Sequence, residues 1–65
     1  MPNQELQDMI HDLMRVKVGD SFDLAGARWH RVNPKTFTVT SPKGVWEVLA
    51  AHHPLTMAIG FLTEP

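Results

Sequence analysis

The chain contains no cysteine among its 65 residues, so neither a disulfide nor a thiolate-bound metal can stabilise it. A domain of this size gains little more from burying apolar surface than it loses in conformational entropy, about 1.5 kcal/mol per ordered residue. Very tight packing, a histidine-bound ion or association with another subunit remain as sources of stability, and we expect association. The absence of cysteine also agrees with a reducing compartment.

Long apolar runs are absent as well. The longest apolar stretch covers residues 55–62, far short of the about 20 residues that a membrane-spanning helix needs. The N-terminus has no basic residues leading into an apolar run, so we expect no secretory signal. These features predict no membrane partner and a cytoplasmic location, in the host cytoplasm if a bacteriophage encodes the chain. The small size itself is common among proteins of bacteriophages and mobile elements.

No set of residues typical of catalysis or metal binding is found. The serines Ser21 and Ser41 lie in no nucleophile motif, and the four glycines are scattered instead of forming a phosphate-binding loop. The histidines show no HxH, HxxxH or HExxH spacing, and His52 and His53 point to opposite sides of an extended chain. We therefore expect no enzymatic activity, no metal site and no cofactor.

Two hydrophobic periods divide the chain. Apolar residues spaced three and four apart predict an amphipathic helix over residues 4–14. Beyond Gly19 the period changes to two, which predicts strands over about 20–25, 28–32, 36–40 and 45–49, joined by short turns. The expected core combines apolar residues of both parts: Leu6, Ile10, Leu13, Phe22, Leu24, Phe37, Val39, Trp46 and Val48.

The C-terminal residues 55–62 fit two patterns. Large apolar side chains at every second position predict a fifth strand, whereas Leu55, Ile59 and Leu62 would form one stripe of a helix. Gly60 weakens a helix by about 1 kcal/mol relative to alanine, so we favour the strand. The expected fold class is α+β: an N-terminal amphipathic helix and an antiparallel meander of four or five strands over residues 20–62, in one domain covering residues 1–65.

The run RVNPKTFTVT over residues 31–40, followed by SPKGVWEV over residues 41–48, resembles the central hairpins of SH3-like small β-barrels. In that group a V-G-D sequence, here residues 18–20, precedes these hairpins. The resemblance covers residues 18–48 and implies a partly open, SH3-like barrel. Barrels of this group often bind nucleic acid or peptide segments, but they share no invariant functional residue that could be assigned here.

Basic residues are concentrated in one segment. Residues 24–46 contain four basic residues and no acidic one, whereas the rest of the chain has two basic against seven acidic residues. Cations with neighbouring aromatics can bind phosphates and bases, although a pI of about 6.4 is low for a nucleic-acid-binding domain. A solvated sheet edge protected by charge is the simplest interpretation. The candidate residues for binding a protein or nucleic acid are Arg28, Trp29, His30, Arg31, Lys35 and Lys43.

The apolar C-terminal segment exceeds what a short meander can bury together with a helix. We therefore expect a homodimer with two-fold symmetry, whose interface is formed by Leu55, Met57, Ile59 and Phe61 or, alternatively, by the outer side of the helix around Met9 and Met14. The expected function is that of a non-enzymatic binding or adaptor protein with a protein partner, for example a phage-type inhibitor of a host protein. The alternatives are a small nucleic-acid-binding protein that uses the basic sheet face and a structural subunit of a larger assembly.

Overall fold

The computed structural model describes residues 3–64, which form two helices and one antiparallel sheet. In chain order the elements are α1 (Asn3–Met14), β1 (Ser21–Leu24), β2 (Ala27–Asn33), β3 (Thr36–Ser41), β4 (Gly44–Leu49) and α2 (His52–Thr63). The strands lie side by side in the order β1-β2-β3-β4, as a meander. The α+β class, the N-terminal helix and the antiparallel meander are therefore confirmed.

The sheet is open, because β1 and β4 form its two edges and do not pair with each other within the described residues. Ala25 and Gly26 join β1 to β2 with φ values of 54° and 76°. Two successive positive φ values are typical of the two-residue hairpin turn whose twist matches that of the strands. A bulge between Arg31 and Asn33 shifts the register of β2 against β3.

Both helices pack on the same face of the sheet and share one core with it. The fully buried side chains come from α1, the inner strands and α2: Leu13, Trp29, Phe37, Val39, Leu55 and Ile59. The ring of Trp29 lies edge-on to that of Phe37, with the centroids 6.1 Å apart. The indole Nε1 of Trp29 donates a 3.0 Å hydrogen bond to the carbonyl of Leu24. Burying this large side chain therefore leaves its one polar group satisfied.

Most of the predicted core is found where the periodicity places it. Ile10, Leu13, Phe37, Val39 and Val48 are buried, and Leu6, Leu24 and Trp46 are partly buried against them. The exception in this set is the aromatic residue of the edge strand β1, Phe22, which is exposed.

The C-terminal segment is a helix, so the predicted fifth strand over residues 55–62 is wrong. Leu55, Ala58 and Ile59 are buried at spacings of three and four, which places one stripe of α2 against the sheet. Pro54 lies in the first turn, where its missing N–H would have had no helical partner. Gly60 lowers the stability of the helix by about 1 kcal/mol, which the burial of Leu55 and Ile59, about 1.5–3 kcal/mol each, outweighs.

Candidate functional site

The structure does not bring the predicted binding residues of the basic segment to one surface. Trp29 lies in the core and is inaccessible to a partner. Arg28 lies on the outer sheet face, the one opposite the helices, and its Nε donates to Asp23 Oδ1 at 3.1 Å. His30 lies on the same face and shares a 3.0 Å hydrogen bond with Ser21. Lys35 is exposed in the turn between β2 and β3.

Arg31 is occupied by contacts with the backbone. Its Nη1 donates to the carbonyls of Met14 at 3.0 Å and Val16 at 2.8 Å, and its Nη2 donates to the carbonyl of Pro34 at 2.8 Å. The guanidinium also lies over the ring of Phe37, 5.4 Å from the centroid. Arg31 thus links the C-terminal end of α1 to the turn after β2. A cation at the C-terminal end of a helix is stabilised by the helix dipole.

Lys43 has a similar position at the end of the second helix. Its Nζ donates to the carbonyl of Phe61 at 2.6 Å and to that of Glu64 at 3.0 Å. The same ammonium lies 4.8 Å from the centroid of the Phe61 ring. Two of the four cations of the basic segment therefore stabilise helix ends, one at α1 and one at α2, instead of forming part of a common basic face.

The outer sheet face is polar and has no helix packed on it within the described residues. Pairs of strands place hydroxyl and charged side chains in rows across it: Ser21, Asp23, Arg28, His30, Thr38, Thr40 and Glu47. Along β4 the pattern changes, because Val45 and Leu49 are also on this face and are 65% and 60% exposed. Strand β4 therefore has apolar side chains on both of its faces, with Glu47 between Val45 and Leu49 on the outer face.

An apolar groove of about 570 Å³ runs between β4 and α2, and we call it the β4–α2 groove. It is lined by residues of both elements and of the turn before β4: Lys43, Trp46, Glu47, Val48, Leu49, Pro54, Met57, Ala58 and Phe61. Trp46 and Phe61 pack edge-on at a centroid distance of 5.5 Å. The lining contains one cation and one carboxylate, Lys43 and Glu47, so that the groove presents mainly apolar and aromatic surface.

The predicted self-association residues lie on two different sides of α2. Leu55 and Ile59 are fully buried in the core and are inaccessible to another molecule. Met57 and Phe61 line the groove and are 62% and 47% exposed. The predicted set is therefore divided by the helical geometry, and its accessible half belongs to the groove.

Sequence reasoning missed the contribution of β4 to this site. Trp46, predicted to belong to the core, is partly buried against it and also packs edge-on against the exposed Phe61. Leu49 was not singled out, although apolar residues at adjacent positions of the strand already indicate two apolar faces. That pattern was the available signal for a second buried or binding surface.

The groove lies beside a free sheet edge. β4 pairs with β3 on one side, and on its other side no strand is present in the described part of the chain. An edge strand offers backbone N–H and C=O groups that can pair with another strand. The site thus combines backbone hydrogen-bonding groups in a row with apolar side chains next to them, which is the chemistry of strand addition.

Other kinds of site find no support among residues 3–64. No three His, Asp or Glu side chains come together there in a way that could hold a metal ion. Neither helix is long and apolar enough to cross a membrane. Comparison of the chain with protein-family models, with curated proteins and with solved structures finds no match.

Proposed function

We propose that this protein is a non-enzymatic binding or adaptor module that holds a protein partner along strand β4. The observation that carries the proposal is the position of the β4–α2 groove directly beside an unpaired sheet edge. The backbone N–H and C=O groups of β4, which could pair with a partner strand, thus lie next to an apolar groove that could bind the side chains of that strand. Pockets that bind small molecules usually enclose most of the ligand, whereas this groove is open along its length.

The partner segment would bind in an extended conformation. Backbone hydrogen bonds to β4 would supply affinity that depends little on sequence, as in other cases of strand addition. Side chains at every second position of the added strand would point towards the helix layer, because successive residues of a strand face opposite sides. There they would meet Met57 and Phe61, so that specificity would lie in the apolar residues at alternate positions of the partner.

The resemblance of residues 18–48 to SH3-like barrels is a further part of this proposal. Barrels of that group often bind peptide segments, which agrees with an extended partner at the edge of the sheet. An origin in a bacteriophage or mobile element, with a host protein as the partner whose surface is occupied, stays a prediction. No residue role is transferred from that group, since the open sheet and α2 differ from a minimal barrel.

Selection of binding peptides from a random library would test the proposal. We expect the selected peptides to have apolar residues at alternate positions and to shift the backbone amide resonances of β4 and α2. The groove variant would carry Leu49→Glu and Met57→Lys, at exposed apolar positions of the site. The matched control would carry Val32→Lys and Met14→Glu, which are exposed apolar positions away from the site.

We expect the groove variant to lose at least about tenfold in peptide affinity, since one charge buried against an apolar partner costs more than 1.4 kcal/mol. The control variant should bind as the wild type does. Peptides that shift only the resonances of the outer sheet face, or bind the groove variant unchanged, would contradict the proposal.

A further inference from the structure

The two edges of the sheet differ in how they are protected against pairing. β1 has four residues and is bordered by charged side chains, among them Asp20 and the ion-paired Asp23. β4 has six residues, no lysine or proline, and no register shift against β3. Short strands, charges, prolines and bulges are the usual means of keeping an edge from pairing. Pro42 and Lys43 lie in the turn before β4, where the Lys43 ammonium is bound to carbonyls at the end of α2. Along β4 itself, only the charge of Glu47 opposes pairing.

We propose that a second copy of this chain occupies the β4 edge and the β4–α2 groove, so that two four-stranded sheets join into one of eight strands. This inference rests on the proposed function and names the partner of the same site. The two β4 strands would run antiparallel about a two-fold axis perpendicular to the sheet. The interface would be isologous, with the same surface used by both copies.

The two-fold axis determines where the helices meet. Rotation about an axis perpendicular to the sheet keeps both helix layers on the same side of the joined sheet. Each α2 lies next to β4, with Met57 and Phe61 at the groove. In the dimer these side chains would therefore face the other copy across the β4–β4 junction and would be covered by it.

The surface available is suited to this partner. A stable interface buries about 800 Å² on each side, which is close to a fifth of the 4269 Å² of accessible surface of the chain. Four of the eight exposed large apolar side chains of the described residues belong to β4 and α2: Val45, Leu49, Met57 and Phe61. The dimer would cover Met57 and Phe61 and would place the second β4 beside Val45 and Leu49. The short, charge-bordered β1 would be the exposed edge on both sides.

The charge of Glu47 limits the register. If Glu47 lay opposite its own copy, two carboxylates would face each other on one side of the sheet, which destabilises an antiparallel pair. A shift of the axis to Trp46 or Val48 places Glu47 opposite an apolar residue instead, Val45 or Leu49 of the other copy. The self-pairing of β4 is therefore compatible with its one charge.

Sedimentation equilibrium over a hundredfold dilution would test the dimer. We expect the wild type to reach twice the 7.3 kDa of one chain, with a melting temperature that rises with protein concentration. Leu49→Glu and Met57→Lys together should raise the dissociation constant by about 100-fold, since a symmetric interface contains each new charge twice and Leu49→Glu lies opposite Glu47 when the axis is at Val48. Val32→Lys and Met14→Glu together should leave it unchanged. Circular dichroism would establish that both variants are folded.

The outcomes separate this inference from the proposed function. A wild type that stays at 7.3 kDa at every concentration overturns the dimer, and groove-binding peptides would then leave the proposed function standing with a foreign partner. A dimer that dissociates with the control variant but not with the groove variant overturns the assignment to β4. A dimer that also competes with selected peptides for the groove supports both. A monomer that binds no peptide at the groove contradicts both.

Discussion

Replacement of Arg31 by methionine should destabilise the protein far more than the same change at Arg28. Methionine keeps a long unbranched side chain and removes the guanidinium. Arg31 then loses three hydrogen bonds, to the carbonyls of Met14, Val16 and Pro34. Arg28 loses one contact with the carboxylate of Asp23 on a well-exposed sheet face.

The size of the effect follows from these contacts. Hydrogen bonds to a charged group contribute about 1.5–3 kcal/mol in general, and Arg31 is only half-buried, so about 1 kcal/mol for each of its three bonds is appropriate. We expect a loss of about 2–3 kcal/mol in the free energy of unfolding, out of roughly 3–10 kcal/mol for a domain of this length. Exposed ion pairs contribute about 0–1 kcal/mol, so Arg28→Met should cost about 0.5 kcal/mol or less.

A third variant separates charge from geometry. Arg31→Lys keeps the positive charge near the end of α1, but one ammonium group cannot reach the carbonyls of Val16 and Pro34 in the way a planar fork does. Its stability should therefore lie between those of the wild type and Arg31→Met. A lysine variant as stable as the wild type would indicate that charge alone is needed there.

Urea unfolding followed by far-UV circular dichroism would measure these differences. All variants should be compared at one fixed protein concentration, because any association is linked to folding. The thermal midpoint of Arg31→Met should fall by roughly 10–20 °C, given about 4–8 °C per kcal/mol for domains of this size. If Arg31→Met and Arg28→Met agree within about 0.5 kcal/mol, the role of Arg31 in holding α1 is refuted and its guanidinium becomes a candidate for partner binding.

The other predictions concern the core, two backbone positions and the nucleic-acid alternative. Phe37→Ala should cost about 3–5 kcal/mol because the ring is fully buried; an unchanged melting curve would contradict the core. Ala25→Asn should add about 0.5–1 kcal/mol, since Ala25 has a φ of 54° that asparagine adopts more readily, whereas Ala25→Val should destabilise. Ala51→Ser should add about 1 kcal/mol, because α2 has no side-chain N-cap bond. Immobilised DNA or RNA should not retain the protein at ~50 mM salt; retention that Arg28→Glu and Lys35→Glu abolish would support the alternative.

The N-terminal helix and the four strands could be predicted to within one residue at each end. Their hydrophobic periods are clear because each element except β4 has one apolar and one mainly polar side. Helix α1 was predicted over residues 4–14 and spans Asn3–Met14, and the third strand was predicted over 36–40 and spans Thr36–Ser41. Where burial is one-sided, the period alone determines the element.

In the basic segment, the sequence predicts which side chains share a face of the strand but not which groups they contact. In a strand, Arg28 and His30 must face one side while Trp29 and Arg31 face the other, so a contiguous basic run cannot form a single face. That part was available from the sequence. The partner of Arg31 was not, because it depends on where α1 ends in space, and the carbonyls of Met14 and Val16 lie 17 and 15 residues away along the chain.

The error at α2 and the location of the candidate site have the same cause. A surface helix is recognised by polar residues on its exposed side, but the exposed side of α2 carries Met57, Gly60 and Phe61. Together with the buried Leu55 and Ile59, these residues produce large side chains at every second position, which is the pattern of a strand. Neither Met57 nor Phe61 is buried in the single chain, although the Phe61 ring packs edge-on against Trp46. A sequence pattern that disagrees with the observed element is expected where residues serve binding. In α2 the residues that cause the disagreement, Met57 and Phe61, are the ones that line the groove.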